Sequence, residues 1–294
     1  MDFINFKSGY VSIIGKPNVW KSTFLNRLIG EKLSIVSPKP QTTRMQIKGF
    51  LNNDHSQIVF LDTPGYIEPR YALQVKMLKY LVESIRSCDA SIFICDGTSF
   101  PTDYDEKVIQ LIQSIQSNNI CLINKADLMT DSEISYCQNM LGEMFEEVYT
   151  ISALEDENFD AVIDGLLSFL PYAPPMYSME DLSDLPVRFF TQEIIREKIF
   201  LGYSEEIPYC STVVVEKFIE EEGRDYIHAN IWIERESQKK ILIGQDGRKI
   251  GELRRRAEKD IAHMTGKKAV LNLWVKVKRD WRHKKGALHE FGYK

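Results

Sequence analysis

The sequence contains no apolar run that approaches the roughly 18 residues needed to cross a bilayer. Its N-terminus also lacks the charged, apolar and small-residue regions of a secretory signal. We therefore expect neither secretion nor membrane insertion, and we expect a cytoplasmic protein. The five cysteines are scattered and form no CxxC pair. This pattern argues against a disulfide-stapled fold or a thiolate metal site and predicts buried, reduced thiols.

Acidic residues are scarce in one segment of the chain, residues 235–285. Residues 235–285 hold 17 Lys and Arg but only 6 Asp and Glu, which gives a local charge of +11. The remaining residues hold 20 basic against 36 acidic side chains, a charge of −16. The overall net charge of −5 hides this asymmetry. A basic segment of this kind favours a polyanionic partner, with a merely solvated basic face as the alternative.

A glycine is missing from the stretch around which the chain is organised. The apolar run Tyr10–Ile14 leads into Gly15–Thr23, with the sequence GKPNVWKST. A phosphate-binding loop follows the pattern GxxxxGK[ST], and here Trp20 occupies the position of the second glycine. In such a loop backbone N–H groups surround the phosphates, Lys21 reaches the β and γ oxygens, and the Ser22 hydroxyl binds Mg²⁺.

Apolar strands alternate with amphipathic helices through the first 170 residues. The runs Ala90–Cys95 and Ile120–Ile123 are short, continuously apolar and bounded by polar residues, which is typical of strands buried on both faces. This order predicts an α/β fold with a mostly parallel sheet and helices on both faces. Ligands of such sheets bind at the carboxyl ends of the strands, where the motifs of this chain are placed.

Two motifs follow predicted strands and indicate a guanine nucleotide. In Asn124-Lys125-Ala126-Asp127 the Asp127 carboxylate can accept two hydrogen bonds from guanine, which adenine cannot supply. In Asp62-Thr63-Pro64-Gly65 the acid can hold Mg²⁺ through water, and the Gly65 N–H can meet a γ-phosphate. Each motif alone is equally compatible with an ordinary strand end or turn. Their order along the chain strengthens the nucleotide interpretation and disfavours an adenine-specific P-loop kinase or ATPase.

The second half has a different organisation. Residues 172–186 are rich in proline and acidic residues and predict a linker. The elements that follow have the order α-β-β-α-α-β. Between the two central helices lies the turn Gly244-Gln245-Asp246-Gly247, followed by a basic helix. A GxxG string alone is a weak signal, since it is more often a plain turn, and Asp246 adds a negative charge to it.

The motif series GKPNVWKST, QTTR, DTPG, NKAD and SAL, followed by SQKKILIGQDG and LWVKVKRDW, resembles the Era-like small GTPases. The likeness extends over residues 9–293. It implies a P-loop G domain at 1–171 and a type II KH domain, an α+β RNA-binding fold, at 187–294. It also implies a GTPase that uses GTP/GDP and Mg²⁺, binds the 3′ end of small-subunit rRNA and assists assembly of the small ribosomal subunit. We expect a monomer, with peripheral contact at the cytoplasmic face of the inner membrane.

The motifs and the resemblance together assign the site residues. Lys21, Thr43 and Gly65 are assigned to catalysis, and Ser22, Thr43 and Asp62 to Mg²⁺. Asn18 matches the position that holds K⁺ in related GTPases lacking the water-orienting glutamine, which is Tyr66 here. The nucleotide-binding residues are Gly15, Lys16, Pro17, Asn18, Val19, Lys21, Ser22, Thr23, Asp62, Thr63, Pro64, Gly65, Asn124, Lys125, Asp127, Ser152 and Ala153. The RNA-binding residues are Gly244, Gln245, Gly247, Arg248, Lys249, Arg254, Arg255 and Arg256.

Trp20 is the gravest departure from the pattern. If the loop needs φ > 0 at this position, a bulky residue costs at least roughly 1–2 kcal/mol, and its side chain would crowd the phosphates. We expect strongly reduced nucleotide affinity; the alternative is an indole that points away from a relaxed loop. The rival function is a nucleotide-independent RNA-binding assembly factor with a degenerate G domain.

Overall fold

The computed structural model describes residues 5–115, 118–155 and 158–293. It divides the chain into two compact units. The first unit holds the residues up to Glu68 together with Met77–Asp184, and the second holds Pro69–Lys76 and the residues from Leu185 onward. Among the described residues no helix is long and apolar enough to span a membrane.

The first unit is an α/β sheet with helices on both faces. Its strands are β1 (Lys7–Ile14), β2 (Ile47–Asn53), β3 (Ser56–Asp62), β4 (Ala90–Asp96), β5 (Asn119–Asn124) and β6 (Glu147–Thr150). Its helices are α1 (Lys21–Ile29), α2 (Ala72–Ser87), α3 (Asp103–Ile115), α4 (Asp131–Gly142) and α5 (Phe159–Phe169). The first residues of α2 fall in the stretch assigned to the second unit.

The strand order β2-β3-β1-β4-β5-β6 explains where the motifs meet. β2 is antiparallel to β3, and the other neighbouring pairs are parallel. Every residue of β3 and β4 is buried because hydrophobic clusters cover both faces of the sheet. The carboxyl ends of β1, β3, β4 and β5 therefore lie at one edge, as the sequence predicts.

Residues 172–184 pack along the edge of the first sheet, although their composition predicts a linker. The Tyr177 ring stacks on Phe50 with a centroid distance of 4.2 Å. Gln57 accepts hydrogen bonds from the backbone N–H groups of Met176 and Tyr177 at 2.7 and 2.9 Å. The N–H of Phe50 donates to the carbonyl of Leu182 at 2.9 Å. This segment covers β2 and β3, so it is part of the first unit.

The second unit is α+β and has the predicted order of elements. Its helices are α6 (Val187–Gly202), α7 (Ile207–Cys210), α8 (Glu236–Ile243), α9 (Arg248–Thr265) and α10 (Lys285–Glu290). Its strands are β7 (Thr212–Glu221), β8 (Arg224–Ile233) and β9 (Lys268–Val277), in the order β7-β8-β9. β8 is antiparallel to β7 and parallel to β9.

Helix α9 owes its position to a stripe of apolar residues. Leu253, Ala257 and Ile261 recur at four-residue spacing and are buried in the core with α6, α8 and one face of the sheet. Arg254, Arg255, Arg256 and Lys259, which lie between them, are exposed. The helix therefore presents a basic surface to solvent while its apolar stripe holds it on the sheet.

Candidate nucleotide and RNA sites

The three residues assigned to Mg²⁺ meet at the strand ends of the first unit. Ser22 lies in the first turn of α1, Thr43 lies in the connection before β2, and Asp62 ends β3. The Ser22 hydroxyl donates to Asp62 Oδ2 at 2.9 Å and lies 3.0 Å from the Thr43 hydroxyl. The Thr43 hydroxyl is 3.2 Å from the same carboxylate oxygen. Residues that are 40 positions apart in sequence thus converge on one point.

Burial tunes the two charged groups of this cluster. Burial raises the pKa of the Asp62 carboxyl, and the nearby Lys21 ammonium and the Ser22 hydroxyl oppose that rise. Burial lowers the pKa of Lys21 to about 8, although Asp62 opposes the fall. The Lys21 ammonium donates to the carbonyls of Gly15 and Lys16 at 3.3 and 2.9 Å. The lysine is therefore held inside its own loop, where a phosphate would favour its charged form.

The donor set fits a hard divalent cation. Asp62 Oδ1 is buried and makes no hydrogen bond of ordinary geometry, so a carboxylate oxygen is available beside two hydroxyls. Mg²⁺ prefers oxygen ligands and takes few from the protein, because phosphates and water supply the rest. The described residues contain no cluster of three or more His, Cys, Asp and Glu side chains that could enclose a metal.

Asn124 joins the motifs at the strand ends. Its side-chain amide donates to the Val19 carbonyl at 2.9 Å and accepts from the Ala153 N–H at 2.9 Å. It therefore fixes the phosphate loop to β5 and to the Ser152–Ala153 segment. The Ser152 hydroxyl donates to one oxygen of Asp127 at 2.7 Å, and Asp127 itself is exposed. Its carboxylate is thereby oriented at the mouth of the site.

Trp20 adopts the glycine-like backbone conformation that its position demands. Its φ and ψ are 67° and 35°, in the left-handed region, and its carbonyl accepts the first hydrogen bond of α1 from the Phe24 N–H at 3.0 Å. The half-buried indole lies with its centroid 5.4 Å from the Lys125 ammonium. A cation–π contact of about 0.5–1 kcal/mol does not fully offset left-handed strain of roughly 1–2 kcal/mol.

Two other glycine positions keep their glycines because the backbones pass closely. A Cβ on Gly15 would lie 2.4 Å from the carbonyl oxygen of Ile94, and one on Gly65 would lie 2.8 Å from the backbone nitrogen of Pro17. The N–H of Tyr66 donates to the Gly15 carbonyl at 3.1 Å. The DTPG segment is thus fastened directly to the phosphate loop.

The side chains of three assigned residues are engaged elsewhere. The Lys16 ammonium forms an ion pair with the buried Asp105 at 3.0 Å, on α3. The Thr63 hydroxyl donates to the Ile13 carbonyl at 2.7 Å, and the Asn18 amide donates to the Pro38 carbonyl at 2.9 Å. Lys16 and Thr63 can therefore meet a nucleotide only through their backbones. The K⁺ role of Asn18 stays a prediction.

Two acids that position the site carry no motif in the sequence. Asp96 ends β4 and forms an ion pair with Lys125. Burial raises the pKa of the Asp96 carboxyl, but hydrogen bonds from Lys125 and Thr98 hold that pKa below its ordinary value. Asp105 likewise forms an ion pair, with Lys16. Asp96 was detectable in principle, because it follows the apolar run Ala90–Cys95 as Asp62 and Asn124 follow theirs. Asp105 sits within a helix, and nothing in the sequence distinguishes it.

A cleft of about 200 Å³ lies over the phosphate loop. The loop contributes Trp20, Lys21 and Ser22 to its walls, and the connection before β2 contributes Ile35–Pro38 and Gln41–Thr43. Gly65 closes one side. Lys21, Ser22, Thr43 and Gly65 thus border a common space, and Trp20 lines the same space.

The GxxG turn of the second unit is built on left-handed residues. Gly244 and Gly247 each have φ of 73°, and Asp246 between them has φ of 50°. The Gly247 N–H donates to the Gly244 carbonyl at 3.3 Å. The turn connects α8 to α9 directly, so its backbone N–H groups lie at the start of a long helix. Two of its three left-handed positions are glycines, which adopt that conformation without strain.

A second cleft, of about 400 Å³, runs between this turn and β9. Its walls come from Gly247, Ile250, Gly251 and Arg254 on one side and from Asn272, Leu273 and Trp274 on the other. Of the four assigned arginines only Arg254 lines it, whereas Arg256 pairs with Glu252 at 2.5 Å one turn back along the helix. The β9 residues were not assigned from the sequence. Among them Trp274 stands out, because its large side chain is 49% exposed on a strand with alternating burial.

Comparisons with known proteins cover both units of the chain. A family model described as 50S ribosome-binding GTPase matches residues 10–125, and a KH domain model matches residues 206–282. A solved structure of an Aquifex aeolicus Era variant bound to GDP and AlF4⁻ is 35% identical with a TM-score of 0.93, and covers 98% of this chain and 99% of its own. Era in complex with MgGDPNP and nucleotides 1506–1542 of 16S ribosomal RNA is similar to the same degree.

The likeness extends over both units and over nearly the whole length of each protein. The chain combines a GTPase domain, whose motifs lie at the strand ends of its sheet, with a KH domain that contains the GxxG turn. The chain therefore belongs to the Era family of GTPases.

Proposed function

We propose that this protein binds the single-stranded 3′ end of small-subunit rRNA through its KH half and assists assembly of the small ribosomal subunit in the cytoplasm. The observation that carries the proposal is the cleft between the GxxG turn and β9, bordered by the exposed basic surface of α9. KH domains clamp about four nucleotides of single-stranded RNA at such a turn. The similar Era structure that contains 16S rRNA nucleotides supports the choice of RNA.

The first unit is proposed to bind GTP and GDP with Mg²⁺. Ser22, Thr43 and Asp62 would hold the cation, which would neutralise charge on the β and γ oxygens. Lys21 would neutralise the same phosphates, and Asp127 would select guanine. A water molecule attacks the γ-phosphate in line, without a covalent intermediate, and the Gly65 N–H meets the phosphate. Asn18 is proposed to help hold K⁺, since Tyr66 cannot orient water as a glutamine does.

Trp20 is proposed to weaken nucleotide binding strongly. Its left-handed backbone stores strain, and its indole lies against Lys125, the residue whose stem would cover the guanine base. Base and indole would thus compete for the same lysine. The alternative, favoured by this one residue, is an assembly factor that binds RNA without nucleotide. Peripheral membrane contact and a monomeric state stay predictions.

The proposed function is tested by fluorescence anisotropy with a labelled single-stranded RNA of the rRNA 3′ end. Affinity should fall as salt rises, with a slope of about −0.7 in log–log form for each phosphate contact. Replacing Arg254, Arg255 and Arg256 by Ala should weaken binding and make this slope shallower. Lys79→Ala on α2, which removes an exposed basic residue of the first unit, is the control. Unchanged affinity in the triple variant would contradict the assignment of α9.

A further inference from the structure

The face of the β7-β8-β9 sheet that the helices leave uncovered carries a pair of stacked aromatic rings. The Ile227, Ala229, Ile231 and Ile233 side chains of β8 are buried under the helices, so the alternate residues point to the opposite face. There His228 stacks on Trp274 of β9 with centroids 5.5 Å apart and planes within 9°. Trp274 is 49% exposed, so part of its ring is open to a ligand.

A bulge in β7 brings charged side chains beside these rings. The pairing of β7 with β8 shifts between Val215 and Lys217, and Lys217 comes to lie opposite His228. Bulges often re-aim side chains near functional sites. A cleft of about 430 Å³ results, lined by Glu216, Lys217, His228, Asn230, Trp274 and Lys276. Lys217 and Lys276 are exposed, whereas the Glu216 carboxylate accepts a hydrogen bond from the Asn230 amide.

This combination fits single-stranded RNA. Stacking of bases on aromatic rings next to lysines that meet the backbone is how proteins bind unpaired nucleic acid. The cleft is also continuous with the one proposed for RNA, because Trp274 borders both. A strand leaving the GxxG cleft over β9 would reach the stacked rings next.

We propose that Trp274, His228, Lys217 and Lys276 form a stacking platform that binds one or two further unpaired bases beyond those in the GxxG cleft. The proposal rests on the proposed RNA function and extends its site around the edge of the sheet. The Glu216 carboxylate faces the bound bases as a hydrogen-bond acceptor, so bases with exposed amino groups are preferred.

The test compares a tetranucleotide, which fills the GxxG cleft alone, with a decanucleotide that also reaches the platform. The full-length protein and a His228→Ala variant are titrated with each RNA by calorimetry or anisotropy. The variant should bind the decanucleotide about tenfold more weakly, the size of one lost stacking contact, and the tetranucleotide unchanged. Trp274 is left intact because it borders both clefts.

A second variant guards against loss of packing around His228. Lys217→Ala combined with Lys276→Ala should lower the salt slope by about 1.4 for the decanucleotide, which is two phosphate contacts, and by nothing for the tetranucleotide. Lys79→Ala should leave both slopes as they are. Equal affinities and slopes of both variants and the unmodified protein for the decanucleotide would overturn the platform alone.

Two other outcomes overturn the proposal in distinguishable ways. Failure of both RNAs to bind the unmodified protein would remove the proposed function and the platform together. A decaglutamate peptide that competes with the decanucleotide at equal concentration, and that the double lysine variant no longer binds, would show that this face recognises charge and not bases.

Discussion

The chain contains two turns built for phosphates, and they satisfy the same backbone requirement with different residues. The GxxG turn places glycines at two left-handed positions, Gly244 and Gly247. The phosphate loop Gly15–Thr23 has left-handed backbone at Asn18 and Trp20, neither of which is glycine. Asn tolerates this conformation through its short polar side chain, whereas a tryptophan does not. One turn is thus relaxed, and the other is strained at a single residue.

The phosphate loop shows that a backbone can keep a left-handed conformation at a position where glycine, the residue that suits it, is replaced by tryptophan. The surrounding contacts hold the strained loop: Asn124 binds the Val19 carbonyl, and Tyr66 binds the Gly15 carbonyl. Strain of roughly 1–2 kcal/mol is small beside the burial of β1, β3 and β4. The loop therefore keeps its shape, and we expect Trp20 to weaken nucleotide binding instead.

We propose that the fault of the phosphate loop lies in Trp20 alone and that the guanine site is intact. In a Trp20→Gly background, Asp127→Ala should lower GDP affinity about a hundredfold, because two base donors lose their acceptor at about 1–3 kcal/mol each. Discrimination against ADP should disappear with it. Titration of fluorescent GDP and ADP measures both. Asp131→Ala, which removes a nearby exposed acid, should change neither, and retained discrimination in Asp127→Ala would refute the guanine assignment.

A pH titration probes the charge of the phosphate loop. Lys21 has a pKa of about 8, below the ordinary lysine value because of burial, and bound phosphates favour its charged form. Affinity of the Trp20→Gly variant for GDP should therefore be constant below pH 8. Above pH 8 it should fall by up to about tenfold per pH unit, since binding then requires proton uptake.

The control for this titration is Lys21→Arg in the same background, whose side chain stays charged at these pH values. Its affinity should be independent of pH between 7 and 9. A profile for Lys21 as flat as that of the arginine variant would contradict the buried, easily neutralised lysine.

The smallest expected effect lies in the relaxed turn. A Cβ on Gly247 meets no atom within 4 Å, so Gly247→Ala adds left-handed strain without a clash. We expect a loss of about 1 kcal/mol in the free energy of unfolding, measured by denaturant titration. Gly251→Ala, in the helix interior and equally open, should be neutral or slightly stabilising. A neutral Gly247→Ala would show that left-handed strain is too small to matter in either turn.

The sequence was enough to predict that Ser22 and Asp62 lie close together, because they follow parallel strands whose carboxyl ends lie at one edge. Thr43 was added to them from the order of the motifs and the resemblance. The sequence was also enough for the α-β-β-α-α-β order of the second unit. It did not reveal the ion pairs of Asp96 and Asp105, which depend on long-range side-chain contacts. The packing of Tyr177 on Phe50 was missed for the same reason, since a proline-rich acidic stretch carries no periodic pattern. Trp274 was recognised as a candidate RNA-binding residue only from the exposure of its side chain in the structure.

We propose that Trp20 alone prevents the phosphate loop Gly15–Thr23 from binding nucleotide tightly. Titration of fluorescent GDP into the unmodified protein and Trp20→Gly, with Mg²⁺ and K⁺ present, tests it most directly. We expect Trp20→Gly to bind GDP at least about tenfold more tightly, which corresponds to a gain of about 1.4 kcal/mol or more in binding free energy. Tight binding by the unmodified protein, equal to that of the variant, would contradict it.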